Sequence, residues 1–183
     1  MTSALFVVVV FLAIVTFGNI FLLFAVIRRL RHLQELIVPS APVPDVGTVV
    51  EPFRAETTDG ASLTADDLAG EPVLVAMLSN TCPSCQAMAG DLVSLTGQSI
   101  APVVFVVADP QHDSAALLGA LDGIDRIAVV GHDDPVLAAF GGIKAFPTVL
   151  VLHDGKIAGA DTRLEKVIPA LHERPHAAAR SAR

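Results

Sequence analysis

The sequence holds little cysteine and little positive charge, and each shortage closes off a class of function. Cys82 and Cys85 are the only two cysteines in 183 residues. A disulfide-stapled scaffold needs several pairs at wider spacing, so that class is excluded. One pair this tight closes almost no loop and adds little chain-entropy stabilisation. Its use is therefore chemical. Lys and Arg number 12 against 19 acidic residues, giving a formal net charge of -7. Nucleic-acid binding needs a basic face. The one basic cluster, Arg28, Arg29 and Arg31, abuts an apolar run and reads as membrane-flanking charge. Nucleic acid is thus not among the expected partners. Internal repeats are also missing.

That apolar run, residues 4–27, is ALFVVVVFLAIVTFGNIFLLFAVI. As a helix at ~1.5 Å per residue it is roughly 36 Å long, enough to span a hydrocarbon core of about 30 Å with some tilt. A cleaved signal peptide is the alternative. No Lys or Arg precedes the run, it exceeds a signal h-region, and no A-x-A site follows promptly, so an uncleaved anchor is expected. Asn19, deep in the span, either bonds a second helix or bonds within its own, and the second is the ordinary case. Leu30, Leu33 and Ile37 continue at helical spacing. Pro39, Pro42 and Pro44 then end the helix, and 39–52 reads as a semi-rigid spacer. The chain therefore divides into a transmembrane anchor (1–27), a juxtamembrane helix and proline-rich linker (28–51), a globular domain (52–173) and a disordered tail (174–183).

Within the domain, 52–56 reads as a first strand and Asp59-Gly60 as a turn. Residues 63–68 read as a short helix capped by Thr64, with Asp66 and Asp67 in its first turn. PVLVAML (72–78) and PVVFVVA (102–108) are continuous apolar runs that suit strands buried on both faces. A helix is expected from the cysteines to about Thr96, with Met88, Leu92 and Leu95 on one face. Further helices are expected at 114–121, from Asp134-Pro135 to about Gly141, and at 164–172. A strand at 126–130 precedes TVLVL (148–152) and 156–160, which flank the hairpin signal His153-Asp154-Gly155. This order implies parallel strands joined by helices, finished by an antiparallel hairpin.

Cysteine attacks as a thiolate, and a helix start favours that charge through its unpaired N–H groups and dipole. In Cys82-Pro83-Ser84-Cys85 the first cysteine meets the helix start and the second lies one turn deeper, on the same face. Pro83 suits the first turn, where its missing N–H is no loss. Cys82 is the expected nucleophile toward a partner disulfide, and Cys85 then resolves the mixed disulfide. Thr81 and Ser84 are candidate hydrogen-bond donors to the thiolate, although such residues more often only satisfy the turn.

A buried strand, then C-P-S-C opening a helix, then Phe146-Pro147-Thr148 before a hairpin, resembles the thioredoxin superfamily. The stretch from Phe53 through TTDGASLTADDLAGEPVLV is similar to the membrane-anchored TlpA/ResA-type redoxins and the MauD-like accessory proteins of methylamine dehydrogenase. The resemblance covers about residues 40–172 plus the anchor. It implies an α/β thioredoxin-like fold, a central mixed sheet flanked by helices, preceded by one transmembrane helix. It implies that Pro147 is a cis-proline facing the cysteines, with Phe146, Pro147 and Thr148 shaping the groove for an extended partner segment. It implies no cofactor beyond a redox-active Cys82–Cys85 disulfide and no metal. The implied partners are protein thiols or disulfides of exported proteins, in cytochrome or amine-dehydrogenase maturation among others, together with a transmembrane thiol carrier and membrane lipid. It also places the domain outside the cytoplasm, whereas Arg28, Arg29 and Arg31 after the span favour the cytoplasm. Three positions depart from the pattern. Ala76 and Met88 stand where related proteins carry an acid, and Thr81 where they carry tryptophan, so the base that activates Cys85 is open.

Three rival readings remain. Ser79-x-x-Cys82 resembles a peroxiredoxin motif, but Val75 replaces its proline and Arg126 is a partner arginine only by elimination. Zinc needs about four ligands, whereas the cysteines supply two and the histidines are scattered, with His112 and His132 expected in loops and His153 in a turn. A non-catalytic assembly or chaperone module with a vestigial disulfide is the third.

Overall fold

The three central strands of the sheet are set by burial on both sides. The computed structural model describes residues 12, 15–20, 43–98 and 100–172. It separates into two units, Met1–Pro39 and Ser40–Arg183. In the second, β1 (Arg54–Glu56) and β2 (Ser62–Thr64) form a small antiparallel hairpin. The main sheet contains β3 (Val73–Ser79), β4 (Val103–Ala108), β5 (Arg126–Gly131), β6 (Thr148–His153) and β7 (Lys156–Asp161). Its order is β5-β4-β3-β6-β7. The pairs β3/β4 and β4/β5 are parallel, while β3/β6 and β6/β7 are antiparallel. The sheet is mixed, as the element order implied.

Side chains alternate across each strand. Val75 and Met77 join Phe105, Val107, Leu150 and Phe140 in one core cluster. Leu74, Ala76 and Leu78 join Val104, Val106 and Val149 in the other. The second layer is closed by α1 (Pro83–Thr96), α2 (Ala115–Ala120) and α4 (Leu164–His172), which contribute Leu92, Leu117 and Val167 among others. The first is closed by the β1–β2 hairpin and by α3 (Pro135–Ala139). Phe53, Phe105 and Phe140 knit this side, with ring centroids 5.3–5.8 Å apart. The α3 start follows its local signal: Pro135 occupies the first turn and the Asp134 carboxylate accepts from Val136 N–H at 2.9 Å. The β6–β7 turn places Asp154 and Gly155 at φ 50° and 70°, the pair of positive angles that a type I′ turn requires.

Two expectations fail here. The helix expected at 63–68 is a strand followed by one 3-10 turn, Asp66–Leu68. The Thr64 backbone N–H and hydroxyl both donate to Asp67 Oδ2, at 2.8 and 2.6 Å, so the capping chemistry is present but holds a single turn. The described part of the 39–52 spacer is also docked on the domain. Gly47 N–H donates to Ile157 O at 2.7 Å, Val50 N–H to Gly155 O at 2.9 Å and Glu51 N–H to Ala139 O at 2.9 Å. Pro44 packs on Gly141, where an added Cβ would meet its ring at 3.1 Å. The unpaired rim of β7 offers hydrogen bonds that the spacer can take, and it covers that edge. On the opposite edge, Thr58 N–H donates to Ile127 O at 2.7 Å and so closes β5.

In the first unit, residue 12 and residues 15–20 are helical, with Leu12, Val15, Phe17 and Ile20 exposed. Asn19 Nδ2 donates to Val15 O at 3.4 Å, a bond within its own helix. Among the described residues, no helix is long and apolar enough to cross a membrane. The rest of the 4–27 run, the helix expected at 28–38 and the tail at 174–183 lie outside the described residues.

Candidate active site

Strand β3 delivers the site. It ends at Ser79, and Asn80 and Thr81 turn the chain into α1. Cys82 is the N-cap residue of that helix, in extended conformation (φ -104°, ψ 112°), with Pro83 in the first turn. Cys82 N–H donates to Ser79 O at 3.2 Å and Cys85 N–H to Cys82 O at 3.1 Å, so backbone bonds hold the turn on which both sulfurs sit. Cys82 is half-buried, whereas Cys85 is fully buried in the layer that holds Ala76, Met88 and Leu92. Both are free thiols.

The two thiols have different company. Cys82 Sγ lies 3.1 Å from Ser84 Oγ and 3.5 Å from the carbonyl oxygen of Phe146. The Phe146–Pro147 peptide is cis, as the resemblance implied. Cys85 Sγ accepts from Ser79 N–H at 3.4 Å. Burial pushes the Cys85 thiol up to about 12; the neighbouring Cys82 thiol adds to the shift, and the Ser79 N–H opposes it.

No family model matches this chain, and no curated protein matches it in sequence. Solved structures do match. The thioredoxin domain of a thiol-disulfide oxidoreductase from Bacteroides vulgatus aligns with a TM-score of 0.55 at 18% identity, over 70% of this chain and 96% of that one. A thiol:disulfide interchange protein from a Bacteroides species gives 0.54 at 17% identity, over 78% and 100%. The pneumococcal exposed lipoprotein thioredoxin from Streptococcus pneumoniae gives 0.50 at 16% identity, over 68% and 100%. The domain has the thioredoxin fold.

On this thioredoxin fold the sequence-derived site residues separate into two groups. Cys82, Pro83, Ser84, Cys85, Phe146 and Pro147 come together. Thr81 takes the ordinary turn role, and Thr148 turns inward. The Thr81 hydroxyl pairs with Ser79 Oγ at 3.0 Å, so it satisfies the turn and not the Cys82 sulfur. Thr148 is buried and donates to Ala145 O at 2.8 Å, closing the proline loop from inside. It offers no surface to a partner. Ala76 and Met88 are buried near Cys85 in the same apolar layer, and among the described residues no carboxylate is buried.

Arg126 is placed against the peroxiredoxin reading. It opens β5 opposite Val103, which pairs with Val75. Ser79, just before the cysteine turn, lies four residues further along β3, so the Arg126 backbone is offset by roughly 13 Å along the strand direction from the end of β3 that carries the site. Arg126 instead donates to Ala101 O at 3.3 Å.

Sequence reading missed three neighbours of the site. Ser79 addresses Cys85 through its backbone. His132, expected in a loop, is exposed and sets its ring edge-on against Phe146, centroids 6.0 Å apart. Asn80 bonds the 109–114 segment with its whole side chain. No local signal could have found these contacts, since each partner of His132 or Asn80 is far away in the chain. His153 is not merely a turn residue: its Nε2 lies 2.8 Å from Ala170 O on α4.

Proposed function

We propose that this chain is a membrane-anchored thiol-disulfide oxidoreductase that exchanges disulfides with partner proteins through Cys82 and Cys85. The observation that carries this reading is the difference in depth across one turn: a half-exposed sulfur at the helix cap above a fully buried one. Structural neighbours with the same fold are named for thiol-disulfide chemistry, which supports it.

The mechanism follows from that arrangement. The Cys82 thiolate attacks one sulfur of a partner disulfide. A Cys82–partner bond forms, the partner's own S–S bond breaks, and the displaced sulfur leaves as a thiolate that takes up a proton. Ser84 Oγ is placed to hydrogen-bond the Cys82 sulfur while it is charged. Cys85 then loses its proton and attacks Cys82 Sγ. The internal disulfide forms, the second partner thiol departs, and two electrons have passed to the partner. The reverse sequence oxidises a partner thiol pair. Phe146 and cis-Pro147 form the wall beside the sulfur, where an extended partner segment docks.

The finer reading places residues 4–27 in a membrane, with exported proteins as clients and a transmembrane thiol carrier recharging the pair. A membrane-impermeant thiol label on intact cells tests the side: labelling of reduced Cys82 without lysis supports an extracytoplasmic domain, and labelling only after lysis supports the cytoplasm. The activity is tested by trapping. Cys85→Ser accumulates covalent adducts with partner proteins, and Cys82→Ser accumulates none. If the Cys82→Ser, Cys85→Ser double variant keeps full biological function, the pair is vestigial and the domain an assembly module.

A further inference from the structure

The active-site loop is tied to the rest of the domain by one side chain. Asn80 stands two residues before Cys82. The two hydrogens on its Nδ2 are shared among three acceptors, His112 O at 2.9 Å, Ser114 Oγ at 3.1 Å and Asp109 O at 3.2 Å. Its Oδ1 accepts from Asp109 N–H at 2.9 Å, and its own backbone N–H donates to Val107 O at 3.3 Å. Every polar atom of the amide is thus used, and every partner lies on the segment running from the end of β4 to the start of α2. The residue on one side of it, Ser79, donates to Cys85 Sγ and accepts from Cys82 N–H. Anything that fixes Asn80 therefore fixes the backbone serving both sulfurs.

We infer that Asn80 is a positioning residue that sets the redox equilibrium of the Cys82–Cys85 pair by clamping their loop while both thiols are open. This rests on the exchange activity proposed above. When the internal disulfide is closed, the bond itself restrains the loop. When it is open, the Asn80 clamp supplies that restraint. Releasing the clamp therefore frees the dithiol form more than the disulfide form and lowers the effective concentration of one sulfur at the other. The equilibrium moves toward the dithiol, and the protein becomes a stronger oxidant.

The test is equilibration of the full chain with glutathione and glutathione disulfide, with the chain's thiols counted by alkylation. In that exchange one glutathione disulfide takes two electrons from the pair, which closes while two glutathione thiols are released. Asn80→Ala is expected to lower the equilibrium constant about tenfold, equivalent to about 30 mV in potential. Asn80→Asp keeps the acceptor for Asp109 N–H but turns a carboxylate toward the Asp109 and His112 carbonyls, so it moves the constant the same way. Asp67→Ala, which removes the bonds from Thr64 that hold the 3-10 turn beside Arg126 at the other end of the sheet, lowers the melting temperature and leaves the constant at the wild-type value. A wild-type constant in Asn80→Asp, or in Asn80→Ala where it folds, overturns the clamp. If the wild-type pair does not cycle with glutathione at all, the exchange activity itself falls, and the clamp with it.

Discussion

Cys82 and Cys85 are one helical turn apart, yet they occupy opposite kinds of surroundings. The outer sulfur has a hydroxyl at 3.1 Å and a carbonyl at 3.5 Å, and is half-exposed. The inner sulfur has one backbone N–H at 3.4 Å and the Cys82 thiol beside it, and otherwise the apolar layer formed by Leu74, Ala76, Leu78, Met88 and Leu92. The difference teaches that depth alone separates two sulfurs of the same motif: one is open to solvent, and burial raises the thiol pKa of the other. Under the proposed exchange, the first sulfur meets partners and the second stays protonated until a mixed disulfide forms beside it.

The most severe way to break this comparison is to remove either sulfur. Cys82→Ser should abolish disulfide exchange with a peptide substrate, down to the uncatalysed rate. Cys85→Ser should keep the first attack and stall at the mixed disulfide, visible by mass spectrometry as a stable adduct. The next largest effect is on pH. With the Cys85 thiol pushed to about 12, only a small fraction is ionised near neutrality, and the rate of internal resolution should climb about tenfold per pH unit from 7 to 9. Stopped-flow resolution of a preformed mixed disulfide measures this. The same shift has a stability consequence of definite sign. The folded-state pKa lies above the ordinary thiol value of 9.0, so the unfolded chain ionises first. The stabilisation is present below pH 9 and is lost as pH rises toward 12. Relative to Cys85→Ala, the reduced protein should lose about 1.4 kcal/mol per pH unit across that window, read by chemical denaturation.

Met88→Glu sharpens the contrast by erasing it. A carboxylate in the layer around Cys85 should accelerate resolution at pH 7 by one to two orders of magnitude, within the ~10²-fold reach of a general base. It should also destabilise the domain by about 2 kcal/mol through burial of a polar group. A smaller effect is expected on the outer side. Ser84→Ala removes the hydroxyl beside Cys82 Sγ, and alkylation of Cys82 at pH 7 should slow about fivefold, the worth of one hydrogen bond near 1 kcal/mol.

Much of this was legible because burial writes itself into composition. Strands β3, β4 and β6 are packed on both faces, so their sequences are unbroken apolar runs with nothing else to be. The helix after the cysteines announced itself through Met88, Leu92 and Leu95, and α3 through Asp134-Pro135. The β2 strand was not legible: Leu63 is its one buried residue, and the polar residues around it form a capping pattern that in isolation promises a helix. The docked spacer was hidden for a different reason. Its bonds are made by backbone atoms to β7 and α3, and prolines dominate its sequence signature. At the site, the cysteines and the cis-proline loop were legible as motifs, whereas Asn80 was not, since its partners lie 29–34 residues away. Thr81 and Ser84 flank Cys82 with equal chemistry on paper, and only the turn geometry decides that Ser84 faces the sulfur and Thr81 faces Ser79.

The central claim is that an accessible sulfur reacts first and its buried neighbour completes the exchange. Mixing reduced protein with glutathione disulfide and following the products by mass spectrometry tests it directly. The predicted result is transient glutathionylation of Cys82 alone, followed by a Cys82–Cys85 disulfide and release of both glutathione thiols. Persistent glutathione on the wild-type chain, or first attachment at Cys85, would contradict it.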